Sequence, residues 1–266
     1  MLLFGDTQPR TLREIDHLAR DVIAGLGESR AAFGLSLGDL VHDDLALFEP
    51  LDALIATLGI PWFHAIGNHD LDLAAAGDAD SDDSFESRYG PATYAFQVGP
   101  AHFVVLDDVR YHGAQPGGAA GGYEAGLSAA ALAFLEAYLA QLPADELAIV
   151  AMHVPPDRLD PTERDAFFRA LSRHPLTLSL SAHTHMQEQL FFGPEHGFTA
   201  GLHHHLNVGT TSGGWWLGAE DESGIPNALM RCGAPKGWWL LRVDGARYEL
   251  DFRAARRPAD YQMQIF

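Results

Sequence analysis

Pro61-Trp62-Phe63-His64-Ala65-Ile66-Gly67-Asn68-His69-Asp70 passes from apolar to polar in one step. Pro61–Ile66 reads as a buried strand, and Gly-Asn-His-Asp reads as the turn at its C-terminal end. The same change recurs outward in both directions. Phe33–Leu37 ends in Gly38-Asp39, and Leu2–Phe4 ends in Gly5-Asp6-Thr7-Gln8. Further along, Leu147–Met152 runs into His153, and Thr177–Leu180 runs into Ala182-His183-Thr184-His185. Phe103–Leu106 is another buried strand. Helical spacing fills the gaps: Leu12 to Ile23 behind Thr11 as N-cap, Leu45–Leu58, and Ala129–Leu142 between Ser128 as cap and Pro143 as stop. Strands alternating with helices predict an α/β fold.

In open α/β sheets, ligands bind in the crevice at the C-terminal ends of strands. Here several strands each deliver Asp, Asn, Gln or His to that edge. Any one of these could be a turn former, since Asp and Asn favour turns, and His153 alone could be a core histidine. The ordered set is better explained by chemistry. Two adjacent divalent ions, roughly 3.5–4 Å apart, need a bridging carboxylate to reduce their repulsion. Neutral imidazoles and amide oxygens then complete each shell. Asp39 suits the bridge. The two imidazoles of His183-Thr184-His185 fall on one side of an extended segment, so each can serve a different ion.

Asp6-Thr7-Gln8, Gly38-Asp39-Leu40-Val41-His42-Asp43, Gly67-Asn68-His69-Asp70, His153 and Ala182-His183-Thr184-His185 together resemble the calcineurin-like metallophosphoesterase signature over residues 2–212. The likeness is closer to the subgroup with a characteristic C-terminal domain. Gly38–Asp44, Val105–Asp108, His203–His205, Gly213–Trp216 and Pro258–Tyr261 carry it. The resemblance implies a two-sheet β-sandwich flanked by helices on both sides, with a β-rich C-terminal extension. It implies a phosphomonoesterase or phosphodiesterase with two iron, manganese or zinc ions. One ion would take Asp6, Gln8, Asp39 and His185. The other would take Asp39, Asn68, His153 and His183. His69 would contact phosphate and protonate the leaving alcohol, and Asp70 would orient His69. The chain departs from the signature at Gln8 (usually His), at His42 (usually Asp) and at Ala182 (usually Gly).

The net charge of −19 and the lack of a Lys/Arg run argue against large nucleic acid as a partner and leave a small phosphate ester. Cys232 stands alone, which excludes an internal disulfide and a cysteine-based zinc site. No stretch reaches the roughly 18 apolar residues of a membrane span. No signal peptide is read either, which leaves the compartment open: cytoplasmic, or periplasmic if the start is trimmed. Oligomeric state is not legible. Neither G-x-S-x-G nor a Gly-rich phosphate loop is present, so direct hydrolysis by water is expected, without a covalent intermediate. A protein phosphatase, a cyclic-nucleotide phosphodiesterase and a non-catalytic binding module are the competing readings.

Gly213–Phe266 reads as an extension packed on a catalytic domain of residues 1–212. It holds a hairpin around Asp244-Gly245 and is expected to shape access to the site. His203 and His205 share one face if their segment is a strand, either as substrate-binding residues at the site wall or as structure. Trp215 and Trp216 are either packing or substrate contacts. Asp107 and Asp108 are either supports of the site or turn formers. The Gly77–Ser84 loop is acidic, but its spacing does not fit an EF-hand. The Gly113–Gly122 loop is Gly/Ala-rich.

Overall fold

Leu2, Leu3 and Phe4 are all fully buried. A strand sends successive side chains to opposite faces, so burial on both faces places this strand between two layers. The computed structural model describes residues 1–27, 29–115, 117 and 119–263. It begins with β1 (Leu2–Phe4), α1 (Leu12–Asp21), β2 (Gly34–Leu37), α2 (Phe48–Ala56), β3 (Trp62–Ala65) and α3 (Asp83–Tyr89). Then come β4 (Tyr94–Val98), β5 (Ala101–Val105), β6 (Val109–Tyr111), β7 (Tyr123–Ala125), α4 (Ala129–Leu139) and β8 (Leu147–Ala151). The remainder is α5 (Pro161–Leu171), β9 (Thr177–Ser181), β10 (Gln187–Phe192), β11 (His203–Val208), β12 (Gly237–Asp244) and β13 (Arg247–Ala254).

One large sheet has the order β13-β12-β1-β2-β3 and the other β10-β11-β9-β8-β5-β4, while β6 and β7 pair as a small separate ribbon. Their inner faces meet through Leu3, Leu35 and Leu37 on one side and Phe103, Val105, Ile149, Leu178 and Leu180 on the other. The alternate residues face helices. Leu2 and Phe4 pack with Leu18 of α1 and Leu51 of α2. Val104 and Val150 pack with Leu135 of α4 and Phe168 of α5. The expected helix–sheet–sheet–helix sandwich is therefore observed.

Local signals set the helix ends. The Thr11 hydroxyl accepts from Glu14 N–H, and the Ser128 hydroxyl accepts from Ala131 N–H. The helix expected at Leu45–Leu58 begins as a 3₁₀ turn over Leu45–Leu47. The acidic loop is ordered through its carboxylates. Asp72 accepts from Ser84, and Asp78 accepts from Tyr111 N–H. In the Gly113–Gly122 loop, positions 116 and 118 lie outside the described residues.

The C-terminal segment enters the core. β12 pairs antiparallel with β1, Leu2 opposite Leu240 and Leu3 opposite Trp239, and β13 extends the same sheet. The turn falls at Gly245-Ala246, with Gly245 at φ 59°, while Asp244 pairs with Arg247. Residues 264–266 of the extension lie outside the described residues.

Candidate metal centre

β1, β2 and β3 are mutually parallel, and so are β5, β8, β9 and β11. Their C-terminal ends meet across the sandwich. His183 N–H donates to Asp6 Oδ2 at 3.0 Å, which ties the second sheet to the first. His153 Nδ1 lies 2.8 Å from the Leu37 carbonyl oxygen, making the same tie through β8 and β2.

The backbone bends sharply here. Asp6, Gln8, Asp39, His183 and His185 all have φ between 35° and 65°. This left-handed region is uncommon for residues other than glycine, and such strain persists where the surroundings enforce it. The glycines beside these turns make room. A Cβ on Gly67 would come within 2.1 Å of Asp39 N, and one on Gly38, at φ 87°, within 2.4 Å of His153 Nδ1. Ala182 is accommodated because Gly5 opposite it has no side chain. A Cβ there would lie 2.9 Å from the Ala182 methyl.

Two groups of lone pairs result. In the first, Asp6 Oδ1, Gln8 Oε1 and His185 Nδ1 are buried with no hydrogen-bond partner. Gln8 Nε2 donates to Asp39 Oδ2 at 2.7 Å, so the amide oxygen is the free end. In the second, His153 Nε2 lies 3.1 Å from Asn68 Oδ1, 3.1 Å from His183 Nδ1 and 3.3 Å from Asp39 Oδ1. With its Nδ1 proton given to Leu37, His153 meets these three acceptors through Nε2 alone, which offers a lone pair in the neutral ring and a single N–H in the charged one. One N–H cannot serve three acceptors at once, and buried acceptors short of donors are costly unless a cation lies among them. The donor set, imidazole with carboxylate and amide oxygen, fits a first-row transition metal.

The electrostatics agree. Burial works to raise Asp39, but charged His153 against it prevails and holds it below the usual carboxylate range. Burial works to lower His153, and Asp39 outweighs it, lifting the imidazole to about 10. Asp6 is raised by burial, with Asp39 repulsion adding. Burial and then His153 bring His183 down to about 3, and burial above all brings His185 down to about 4. The cluster thus draws one positive charge into its middle even as a bare set of side chains.

His69 lines the cleft above these groups, and its N–H donates to Asp39 Oδ1 at 2.9 Å. Its ring Nδ1 lies 2.6 Å from Asp43 Oδ1. This corrects the expectation for Asp70. That fully buried carboxylate accepts from Leu40, Val41 and Gly67 N–H and does not reach the His69 ring. Burial and then Asp39 push Asp70 up to about 7. His42, at the position where the signature has aspartate, stacks on His69 with ring centroids 4.2 Å apart.

His203 and His205 also require correction. Both are fully buried on the outer face of their sheet, against Phe168 and Phe192, and away from the cleft. They belong to a hydrogen-bonded ladder: Thr177, His203, Ser179, His205 and Ser181 in turn, at 2.7–2.9 Å. Alternating serines on β9 supply partners for alternating histidines on β11, which makes these imidazoles structural.

Asp108 accepts from His153 and Val154 N–H and so fixes the end of β8. Trp216 is buried, and its indole N–H donates to Thr7 carbonyl oxygen. Trp215 instead lines the cleft, 4.1 Å from the His185 ring, together with Tyr123, Arg158 and Arg231. The cleft holds about 540 Å³. Among the described residues no helix is long and apolar enough to cross a membrane.

Comparison with known proteins accords with this geometry. Residues 1–187 match the family model for calcineurin-like phosphoesterases, and residues 205–266 match the model for the C-terminal part of such enzymes. Among solved structures, a dimetal phosphatase from Danio rerio is similar at TM-score 0.57 and 16 % identity, over 79 % of this chain and 86 % of that one. PhoD is similar at TM-score 0.59 and 11 % identity, over 96 % of this chain and 68 % of that one. A protein of Thermus thermophilus is similar at TM-score 0.51 and 13 % identity, over 94 % of this chain and 97 % of that one. At these identities the likeness concerns the fold. No curated protein sequence matches the chain.

Proposed function

This chain belongs to the calcineurin-like phosphoesterase family and is a metal-dependent phosphoester hydrolase, and from that premise we propose that it works with two ions sharing Asp39 on a small organic phosphate ester. The observation that carries this reading is the pair of buried acceptor groups on either side of Asp39, the first with no donor at all and the second with more acceptors than His153 can serve. Asp6, Gln8, Asp39 and His185 would hold one ion; Asp39, Asn68, His153 and His183 would hold the other. Iron, manganese and zinc all suit these donors.

When bound, the ions acidify a water toward neutral pKa and draw charge from the phosphate oxygens. The side chains do the rest. Asp43 occupies His69 Nδ1, which leaves Nε2 to donate a proton to the departing alcohol. The stacked His42 ring restricts His69 rotation. Asp70 holds the Gly38 and Gly67 turns together through three backbone N–H groups, and so sets Asp39 and Asn68 at a fixed separation.

Monoesters and diesters both suit this site. The aromatic walls and a volume of about 540 Å³ favour a small organic ester over a phosphorylated protein. The His69–Asp43 pair argues against a binding module without catalysis. Elemental analysis of protein purified without added metal should find about two ions per chain. Nitrophenyl mono- and diesters should turn over with added manganese. Full turnover in excess chelator after dialysis would rule out the metal mechanism.

A further inference from the structure

The cleft is far wider than a phosphate group alone requires, and its lip is built at a cost. Trp215 and Trp216 both sit at positive φ, 55° and 56°. Bulky residues rarely adopt this conformation. The consequence is a division of labour: Trp216 is buried and anchored to Thr7, while Trp215 is turned out over His185. Backbone strain is therefore retained where it brings a flat aromatic surface beside the first lone-pair group.

Arg231 stands next to that surface, its guanidinium carbon 5.9 Å from the Trp215 ring centre. Its backbone N–H donates to the His185 carbonyl oxygen at 3.0 Å, which pins the arginine's loop to the site. Among the described residues no carboxylate pairs with Arg231, in a chain that carries 36 acidic residues against 17 basic ones. Among the described residues Arg158, the other Lys or Arg lining the cleft, makes its one ion pair with its neighbour Asp157, at 3.5 Å. In so acidic a protein, unpaired guanidinium at the mouth of the site is available to an anion.

We propose that Trp215 and Arg231 form a subsite for the organic half of the substrate, which is a planar ring system carrying an anionic group beyond the scissile phosphate. This rests on the phosphoesterase reading above and narrows it. The indole stacks on the ring, and the guanidinium takes the second anion. Both come from the C-terminal extension, so the extension selects the substrate while the strand ends perform the chemistry.

Calorimetric titration of the manganese-supplemented protein tests this with ribose phosphate, AMP, ADP and adenosine bisphosphate. AMP should bind about tenfold or more tightly than ribose phosphate through stacking. ADP or adenosine bisphosphate should gain about tenfold again through Arg231, and whichever gains shows on which side of the ring the second anion lies. Arg231→Gln should abolish that second gain and leave ribose phosphate unchanged. Trp215→Leu should abolish the first. Equal affinity for all four ligands, or an Arg231→Gln loss spread evenly over them, overturns the proposal. Turnover of both nitrophenyl phosphate and bis(nitrophenyl) phosphate is measured in parallel. Its absence would count against the phosphoesterase reading, whereas turnover without ligand discrimination would sink the subsite alone.

Discussion

Asp43 Oδ1 lies 2.6 Å from His69 Nδ1, while Asp70, adjacent to His69 in the chain, turns away into the backbone of Leu40, Val41 and Gly67. The two carboxylates therefore have separable jobs. Asp43→Asn should keep metal content and the melting temperature near those of the parent while lowering kcat by roughly 10²-fold, the lower range for a positioned acid or base. Asp70→Asn should lower both stability and metal content, because its partners are the turns that hold Asp39 and Asn68. Metal analysis with melting curves checks the pair; matching behaviour of the two variants would refute the division.

His69 itself should separate cleanly from the ligands. His69→Ala should retain metal while slowing hydrolysis by roughly 10²–10⁴. The loss should shrink for nitrophenyl esters, whose leaving group needs no proton. Asp39→Ala should lose metal and activity together. Equal metal loss in both variants would make His69 a ligand.

The space around Asp39 gives a test that leaves every ligand in place. A Cβ at Gly67 would press within 2.4 Å of Asp39 Oδ1. Gly67→Ala should cost roughly 1–3 kcal/mol and weaken metal retention. Ala182→Gly, beside the already open Gly5, should do neither. Titration with a metal indicator separates these outcomes, and an unchanged Gly67→Ala protein would contradict the close approach.

Much of this centre is legible in the sequence because each motif follows an apolar strand, and a parallel sheet brings such ends to one edge. The two corrections share a cause. The resemblance assigns Asp70 to His69, but the left-handed turn at Asp43, φ 67°, brings that later residue of the preceding loop to the ring Nδ1. For His203 and His205, a period of two establishes that they share a face and not which face. That depends on Ser179 and Ser181, their partners on the neighbouring strand. The place of β12 beside β1 has no local signature, because it is a pairing between distant segments.

Buried histidines outside the metal centre make stability sensitive to acid. Burial, then Arg88, lowers His64 to about 3, and burial, then His204, lowers His203 to about 3. Both pKa values are depressed from 6.5, so the folded chain refuses protons that the unfolded chain accepts. Stability is then full above pH 6.5, falls as pH drops from 6.5 toward 3, and levels off below. Two pH units below 6.5, each group costs up to ~2.7 kcal/mol. His64→Phe, packed beside Tyr89, should flatten the stability–pH curve by about one proton. Metal ligands titrate alike in parent and variant and cancel in the difference; parallel curves would show His64 to be irrelevant.

A buried charge cluster fastens α1 to the extension. Lys236 Nζ lies 2.6 Å and Arg256 Nε 2.5 Å from the carboxylate of Asp21, which is 1 % exposed. Asp21→Ala strands Lys236 and should cost roughly 3–5 kcal/mol, or about 10 °C in Tm. Replacing Asp21 and Lys236 together by apolar residues should recover most of that loss. A single variant that melts with the parent would show the cluster to be dispensable.

The pairing of Leu2 with Leu240 also determines when the enzyme can come into being. During synthesis β1 emerges long before β12, and until β12 arrives one edge of β1 has no backbone partner. Asp6 and Gln8 hang from that half-made strand. A ribosome-bound chain can therefore carry every proposed metal-binding residue and still lack a rigid place for metal. Closing so long a loop is slow, and an open apolar edge invites association with other chains. The chain is open to such association between translation of His185, the last of the proposed ligands, and translation of the β12–β13 hairpin.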